Sequence, residues 1–170
     1  MMNEEYFFES KRGKWSQPGV PHKDWICVDI EDLGEPIQIC EMCESQHIRY
    51  VHFMQNAEYD RILQVGCVCA GHMESDLIHA KKRDDFMKSR ANKRKKWISR
   101  KWKISRNGNE YIVADGYVIT VFFKYGKWKA LVKSEDEQFE KWSRKDYSSI
   151  NAVKLASFDY VTKLLSEIEK

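Results

Sequence analysis

Residues 40–72 read CEMCESQHIRYVHFMQNAEYDRILQVGCVCAGH and carry the strongest structural signal in the chain. The segment opens on a C-x2-C pair, Cys40 and Cys43, and closes on Cys67, Cys69 and His72. Zinc prefers four Cys or His ligands in a tetrahedron, and one tight turn presents both sulfurs of a C-x2-C pair to the same ion. The segment therefore predicts one structural Zn²⁺, held by residues from both of its ends.

The second group contains one more candidate ligand than a tetrahedral site needs. Cys69 and His72 are three residues apart, a spacing that places both on one face of a helix. Cys67 and Cys69 are two residues apart, a spacing that places both on one face of a strand. We therefore expect the ligands to be Cys40, Cys43, Cys69 and His72, with Cys67 as the alternative to His72.

The same segment resembles the treble-clef zinc fingers of prokaryotic and phage proteins. The resemblance rests on Cys40-x2-Cys43, on the run Ile48-Arg-Tyr-Val-His52 and on Val65-Gly66-x-x-Cys69, and it covers about 33 of the 170 residues. It implies a zinc knuckle, a β-hairpin of residues 48–54 and 61–65, and a helix whose first turn supplies the last two ligands. Treble clefs bind nucleic acids, bind proteins or catalyse hydrolysis, so the resemblance leaves the function open.

The net charge of +3 conceals an uneven distribution along the chain. Residues 1–80 carry a net charge of −8, residues 81–103 carry +10 and residues 104–170 carry +1. Apolar residues at helical spacing predict one long helix over about residues 70–95. Its other faces carry nine cations, which predict a phosphate-binding surface for DNA or RNA: Lys81, Lys82, Arg83, Lys88, Arg90, Lys93, Arg94, Lys95 and Lys96.

The last 74 residues predict a different architecture, an antiparallel β-meander packed with a C-terminal helix. Asn107-Gly108 and Asp115-Gly116 are strong hairpin turns between segments rich in β-branched and aromatic residues. Ser148 or Ser149 is expected to cap a helix that runs to Lys170. Residues 134–147 are expected to form an exposed loop. Trp97 and Trp102 lie among cations, so they either stack on bases or belong to the core of this segment.

Together these patterns predict an α+β fold in three parts. Residues 1–39 are expected to form an irregular acidic and aromatic segment with a possible strand at 25–30. Residues 40–96 are expected to form the treble-clef finger with its extended basic helix, and residues 97–170 the meander with its helix. The fifth cysteine, Cys27, stands alone in an apolar context and is expected in the core.

The composition also excludes several classes of protein. No run of 18 apolar residues is present, so no membrane contact is expected, and residues 1–10 lack the apolar region of a secretory signal. An odd number of cysteines without an export signal predicts reduced thiols and a cytoplasmic location. The chain has no P-loop, nucleophile elbow or dinucleotide fingerprint, so the sequence favours a non-catalytic protein.

The resulting functional hypothesis is a zinc-stabilised, phage-like protein that binds nucleic acid mainly through phosphate contacts. One alternative is an interaction adaptor or phage-type regulator, whose cations would bind an acidic protein partner. A third hypothesis is a metal-dependent nuclease that uses His52 and His79, because both lie in or beside the finger.

Overall fold

The computed structural model describes residues 12–169, with side chains to residue 168, and shows a mixed α+β fold. The α+β class predicted from the sequence is confirmed. The described residues form two compact units. The first comprises the described parts of Met1–Ser89 and Ser166–Lys170, and the second comprises Arg90–Leu165. The structure thus divides the chain after residue 89, whereas the sequence patterns placed this division after residue 96.

The first unit is built on a three-stranded antiparallel sheet with the order β1-β4-β5. Its buried residues include Trp25, Met54 and Leu63. The β4–β5 turn is set by Asn56, whose side chain accepts a hydrogen bond from the backbone N of Glu58 at 2.8 Å. A short hairpin, β2–β3, precedes the sheet's central strand. The bounds are β1 Ile26–Asp32, β2 Gln38–Ile39, β3 His47–Ile48, β4 Tyr50–Asn56 and β5 Tyr59–Val65.

The long helix predicted over residues 70–95 is divided into two helices, α1 (Cys67–Glu74) and α2 (Leu77–Lys96). Ser75 ends α1 because it adopts a left-handed conformation, with φ of 59°. Asp76 then starts α2, and its carboxylate accepts a hydrogen bond from the backbone N of His79 at 2.9 Å. The break therefore comes from a helix cap and not from Gly or Pro.

The second unit contains a five-stranded antiparallel meander with the order β10-β9-β8-β7-β6. Asp115 and Gly116 both have positive φ, as the predicted hairpin turn requires. Residues 134–147, expected to form a loop, include the edge strand β10, which pairs with β9. The strand bounds are β6 Lys103–Ile104, β7 Glu110–Ala114, β8 Tyr117–Lys124, β9 Lys127–Ser134 and β10 Glu140–Trp142.

Helix α3 (Ile150–Glu169) supplies Phe158 and Val161 to the core of the second unit. Ser149 caps this helix, since its hydroxyl accepts a hydrogen bond from the backbone N of Ala152 at 3.1 Å. Trp97 is a core residue with 2% exposure, and its indole N–H donates to the carbonyl of Lys154 at 2.9 Å. None of the described helices is long and apolar enough to cross a bilayer.

Candidate functional site

Three cysteines meet at one point of the first unit. The Sγ atoms of Cys40, Cys43 and Cys69 lie within 4.8 Å of one another, and all three side chains are buried. Cys40 and Cys43 occupy the turn between β2 and β3, where the backbone N of Glu44 donates to the carbonyl of Cys40 at 2.8 Å. Cys69 lies in the first turn of α1. This group, called the cysteine trio below, has the donor set to hold a metal ion.

The pKa values of the sulfurs in the trio are shifted in different directions. Hydrogen bonds from Cys40 and Cys69 hold the pKa of Cys43 well below its usual range, and Ser45 Oγ also donates to its sulfur at 3.4 Å. Hydrogen bonds with Cys40 and Cys43, together with burial, raise the pKa of Cys69. Burial and the neighbouring thiols thus oppose ionisation of Cys69, so a divalent cation that binds the trio must displace its proton.

A short 3-10 turn, Gly13–Ser16, closes over the knuckle, a contact that sequence reasoning missed. Gly13 has φ of +60°, and a Cβ added there would lie 2.7 Å from the carbonyl oxygen of Met42. The backbone N of Lys14 donates to that same oxygen at 2.8 Å, and its ammonium pairs with Glu44 at 2.7 Å. Gly13 was the only feature of the sequence that could have indicated this contact, because no other residue of the turn shows where the turn packs.

Neither of the other two predicted ligands belongs to the trio. His72 follows Cys69 by three residues on α1, and its ring packs edge-on against Trp15 with centroids 6.4 Å apart. Among the described residues, the ligand atoms within 4.8 Å of one another at this point are the three sulfurs alone. Cys67, the alternative ligand, instead joins His52 and Asp84 in a second group.

This second group draws its members from three elements. His52 lies on β4 and is fully buried, Cys67 begins α1, and Asp84 lies on α2. Burial lowers the pKa of His52 and raises the pKa of Cys67 to about 11. Burial opposes ionisation of Asp84, but the neighbouring His52 ring and the Lys88 ammonium outweigh it and lower the pKa of Asp84. Sequence reasoning missed Asp84, whose position in a basic helix resembles that of an ordinary surface residue.

The nine cations predicted to bind nucleic acid occupy different environments. Arg83 and Arg90 are buried, with 1% and 3% exposure, and each donates to a carboxylate, Glu74 at 2.7 Å and Asp115 at 2.6 Å. This corrects the expectation that both lie on the surface, because helical spacing does not distinguish a buried, paired arginine from an exposed one. Four others have exposed side chains that form ion pairs: Lys81 with Asp85, Lys88 with the buried Asp84, Lys93 with Asp115 and Arg94 with Asp159.

The remaining three predicted cations, Lys82, Lys95 and Lys96, are exposed. The last two belong to a run of six exposed cations that make no ion pair within the described part of the chain: Lys95, Lys96, Arg100, Lys101, Lys103 and Arg106. No Asp or Glu occurs between residues 95 and 109. Residues 95–106 are called the acid-free segment below, and they form a concentrated positive surface in the second unit.

Comparisons of the chain with protein-family models, with curated proteins and with solved structures give no match. The functional assignment therefore rests on the geometry of the two ligand groups and on the distribution of exposed charge.

Proposed function

We propose that this chain is a zinc-stabilised, non-catalytic nucleic-acid-binding protein. The observation that supports its zinc site is the buried trio of Cys40, Cys43 and Cys69 within 4.8 Å. His72 is the fourth ligand in this proposal, since it lies one helical turn after Cys69. Its ring must move towards the trio on binding, because its nitrogens lie outside the 4.8 Å group of sulfurs. A knuckle, the β4–β5 hairpin and α1 follow one another in the order expected of a treble clef.

The acid-free segment is the proposed contact for DNA or RNA. Its six cations have no carboxylates among them in sequence, so phosphate groups are the natural counterions. Arg100 lies over the Trp97 ring at 5.4 Å, which holds that guanidinium close to the surface of the unit. The proposed footprint is thus shifted from the middle of α2 to its end and to the residues that follow.

The number of cations sets the expected salt dependence. If all six contacted phosphates of a duplex, the logarithm of the binding constant would fall with the logarithm of salt concentration with a slope of about −5. Binding of this kind has little sequence preference, because phosphate contacts position a protein without reading bases.

The test is a salt-titrated binding series with the variant Lys95→Ala/Lys96→Ala/Lys101→Ala/Lys103→Ala. Loss of four contacts is expected to weaken the slope by about 3 to 4 and to lower affinity for all sequences alike. The matched control replaces four exposed lysines of the same unit, Lys124, Lys127, Lys141 and Lys145. An equal loss in both variants, or an unchanged slope in the first, contradicts the proposal.

The zinc part has its own test, metal analysis of the purified protein. Cys43→Ser is expected to lose one equivalent of zinc, since it removes one of the three sulfurs of the trio. Cys27→Ser is the matched control, because Cys27 is a half-buried thiol of the same unit whose sulfur contacts the carbonyl of Asp29 at 3.2 Å. Equal zinc content in both variants contradicts the assignment.

A further inference from the structure

The second ligand group contains a buried nitrogen with no hydrogen-bond partner. His52 has 0% exposure, and its Nε2 atom makes no hydrogen bond among the described residues. This atom lies 3.6 Å from Asp84 Oδ1, too far for a hydrogen bond. A buried imidazole nitrogen left without a partner is destabilising, so its position requires an explanation.

The distance of 3.6 Å between His52 Nε2 and Asp84 Oδ1 is close to that between two ligand atoms of a tetrahedral metal site. Zinc–nitrogen and zinc–oxygen bonds of about 2.0–2.2 Å place neighbouring ligand atoms about 3.4 Å apart. Cys67 supplies the third donor, and the ligand atoms of all three residues lie within 4.8 Å of one another. We propose that His52, Cys67 and Asp84 form a second divalent-metal site, suited to Zn²⁺ and separate from the cysteine trio.

The charges around the site are consistent with a dication. A thiolate on Cys67 and the carboxylate of Asp84 together balance its charge, and the thiol proton leaves to solvent on binding. The nearby Arg83 is already paired with Glu74 at 2.7 Å. Its Nε also donates to His52 Nδ1 at 3.4 Å. Metal at Nε2 places the imidazole proton on Nδ1, so Arg83 gives up this long contact and retains Glu74.

The arrangement of the ligands also specifies the kind of site. Asp84 presents Oδ1 towards His52, while Lys88 binds its Oδ2 at 2.6 Å and so orients the carboxylate. Three protein ligands leave the fourth tetrahedral position to water or a small anion, as in zinc sites that are not purely structural. Cys67 is half-buried, which gives the ion an approach from solvent. Cys67, which the cysteine trio does not use, is thus a metal ligand of the second site, and this role is independent of nucleic-acid binding.

The test counts metal ions in the full chain loaded with zinc under reducing conditions and then passed through gel filtration. The wild-type protein is expected to retain two equivalents. Cys67→Ser and Asp84→Asn are expected to retain one, whereas the control Cys27→Ser retains two. Cys43→Ser is also expected to retain one, so that the variants assign each equivalent to its own site.

Cobalt(II) provides a second measurement, in which the wild-type protein alone can already overturn the proposal. Sulfur-to-cobalt charge-transfer absorption counts thiolates, and wild-type protein is expected to show a signal from four thiolates, with three remaining in Cys67→Ser. A wild-type signal from three thiolates with one bound equivalent overturns the proposal. The same loss of metal in Cys67→Ser and Cys27→Ser also overturns it. Neither outcome depends on whether the protein binds nucleic acid.

Discussion

Replacing Arg90 by Met separates the structural role of the α2 cations from a role in nucleic-acid binding. Arg90 is 3% exposed, and its Nη1 donates to Asp115 at 2.6 Å while its Nε donates to Thr162 at 2.8 Å. Its guanidinium lies 4.0 Å from the centroid of the Phe158 ring. Methionine retains an apolar stem of similar length but removes the charge and every donor. The second unit should therefore lose stability.

The expected loss is about 3 kcal/mol, at the low end of the range for breaking a buried ion pair. Each charge-assisted hydrogen bond contributes about 1.5–3 kcal/mol, and the ring contact adds about 1–2 kcal/mol. Two features reduce the total loss of stability expected for Arg90→Met. The Nη2 atom of Arg90 is buried without a hydrogen-bond partner, which costs about 1–2 kcal/mol. Asp115 keeps 25% of its side-chain surface exposed, so water hydrates it after truncation.

Lys93→Met is the matched control, because Lys93 lies 3.8 Å from the same carboxylate of Asp115 but is 56% exposed. The free energy of unfolding lost in Lys93→Met is expected to stay below about 0.5 kcal/mol, as for other surface ion pairs. Denaturant unfolding followed by tryptophan fluorescence measures both, since Trp97 is buried in this unit. A loss below about 1 kcal/mol for Arg90→Met, or an equal loss for Lys93→Met, refutes the structural assignment of Arg90.

Three further predictions concern the first unit. Gly71→Ala is expected to cost about 1–3 kcal/mol in thermal unfolding, because the new Cβ would lie 2.6 Å from Leu77 Cδ2; an unchanged melting temperature contradicts this. Gly13→Ala is expected to weaken zinc binding in chelator competition, because its Cβ would lie 2.7 Å from Met42 O and displace the knuckle; wild-type affinity would show that the turn is dispensable. Zinc affinity is expected to fall as pH is lowered from about 8 to about 6, because the pKa of Cys69 is raised and binding must release its proton; an affinity independent of pH would exclude thiolate ligation.

The features predicted correctly from sequence are those set by neighbouring residues. Asp115-Gly116 encodes a turn with two positive φ angles, and this fixes the register of β7 and β8. The C-x2-C spacing likewise brings two sulfurs together, with Cys69 added by the helix that follows. The break at Ser75 was not predictable in this way. It comes from the left-handed Ser75 and the cap at Asp76, and the helical periodicity of residues 70–95 continues through both.

The second ligand group and the buried arginines could not be predicted, for a related physical reason. His52, Cys67 and Asp84 come from a strand and two helices, so only the folded chain places them within 4.8 Å. Arg83 and Arg90 are charged residues in a charged run, and their burial depends on acids distant in sequence, such as Asp115. Charge density along the chain thus indicated a cation-rich segment but not which of its cations are exposed.

The closeness of the three sulfurs also determines how the protein responds to oxygen. A sulfenic acid formed on one of these sulfurs would have two thiols within 4.8 Å, and its condensation with either would give a disulfide and release water. Removal of zinc by a chelator in air is therefore expected to be lasting, whereas removal under reductant is reversible. A metal ion bound to the trio would then protect its sulfurs from oxidation as well as hold this part of the chain together.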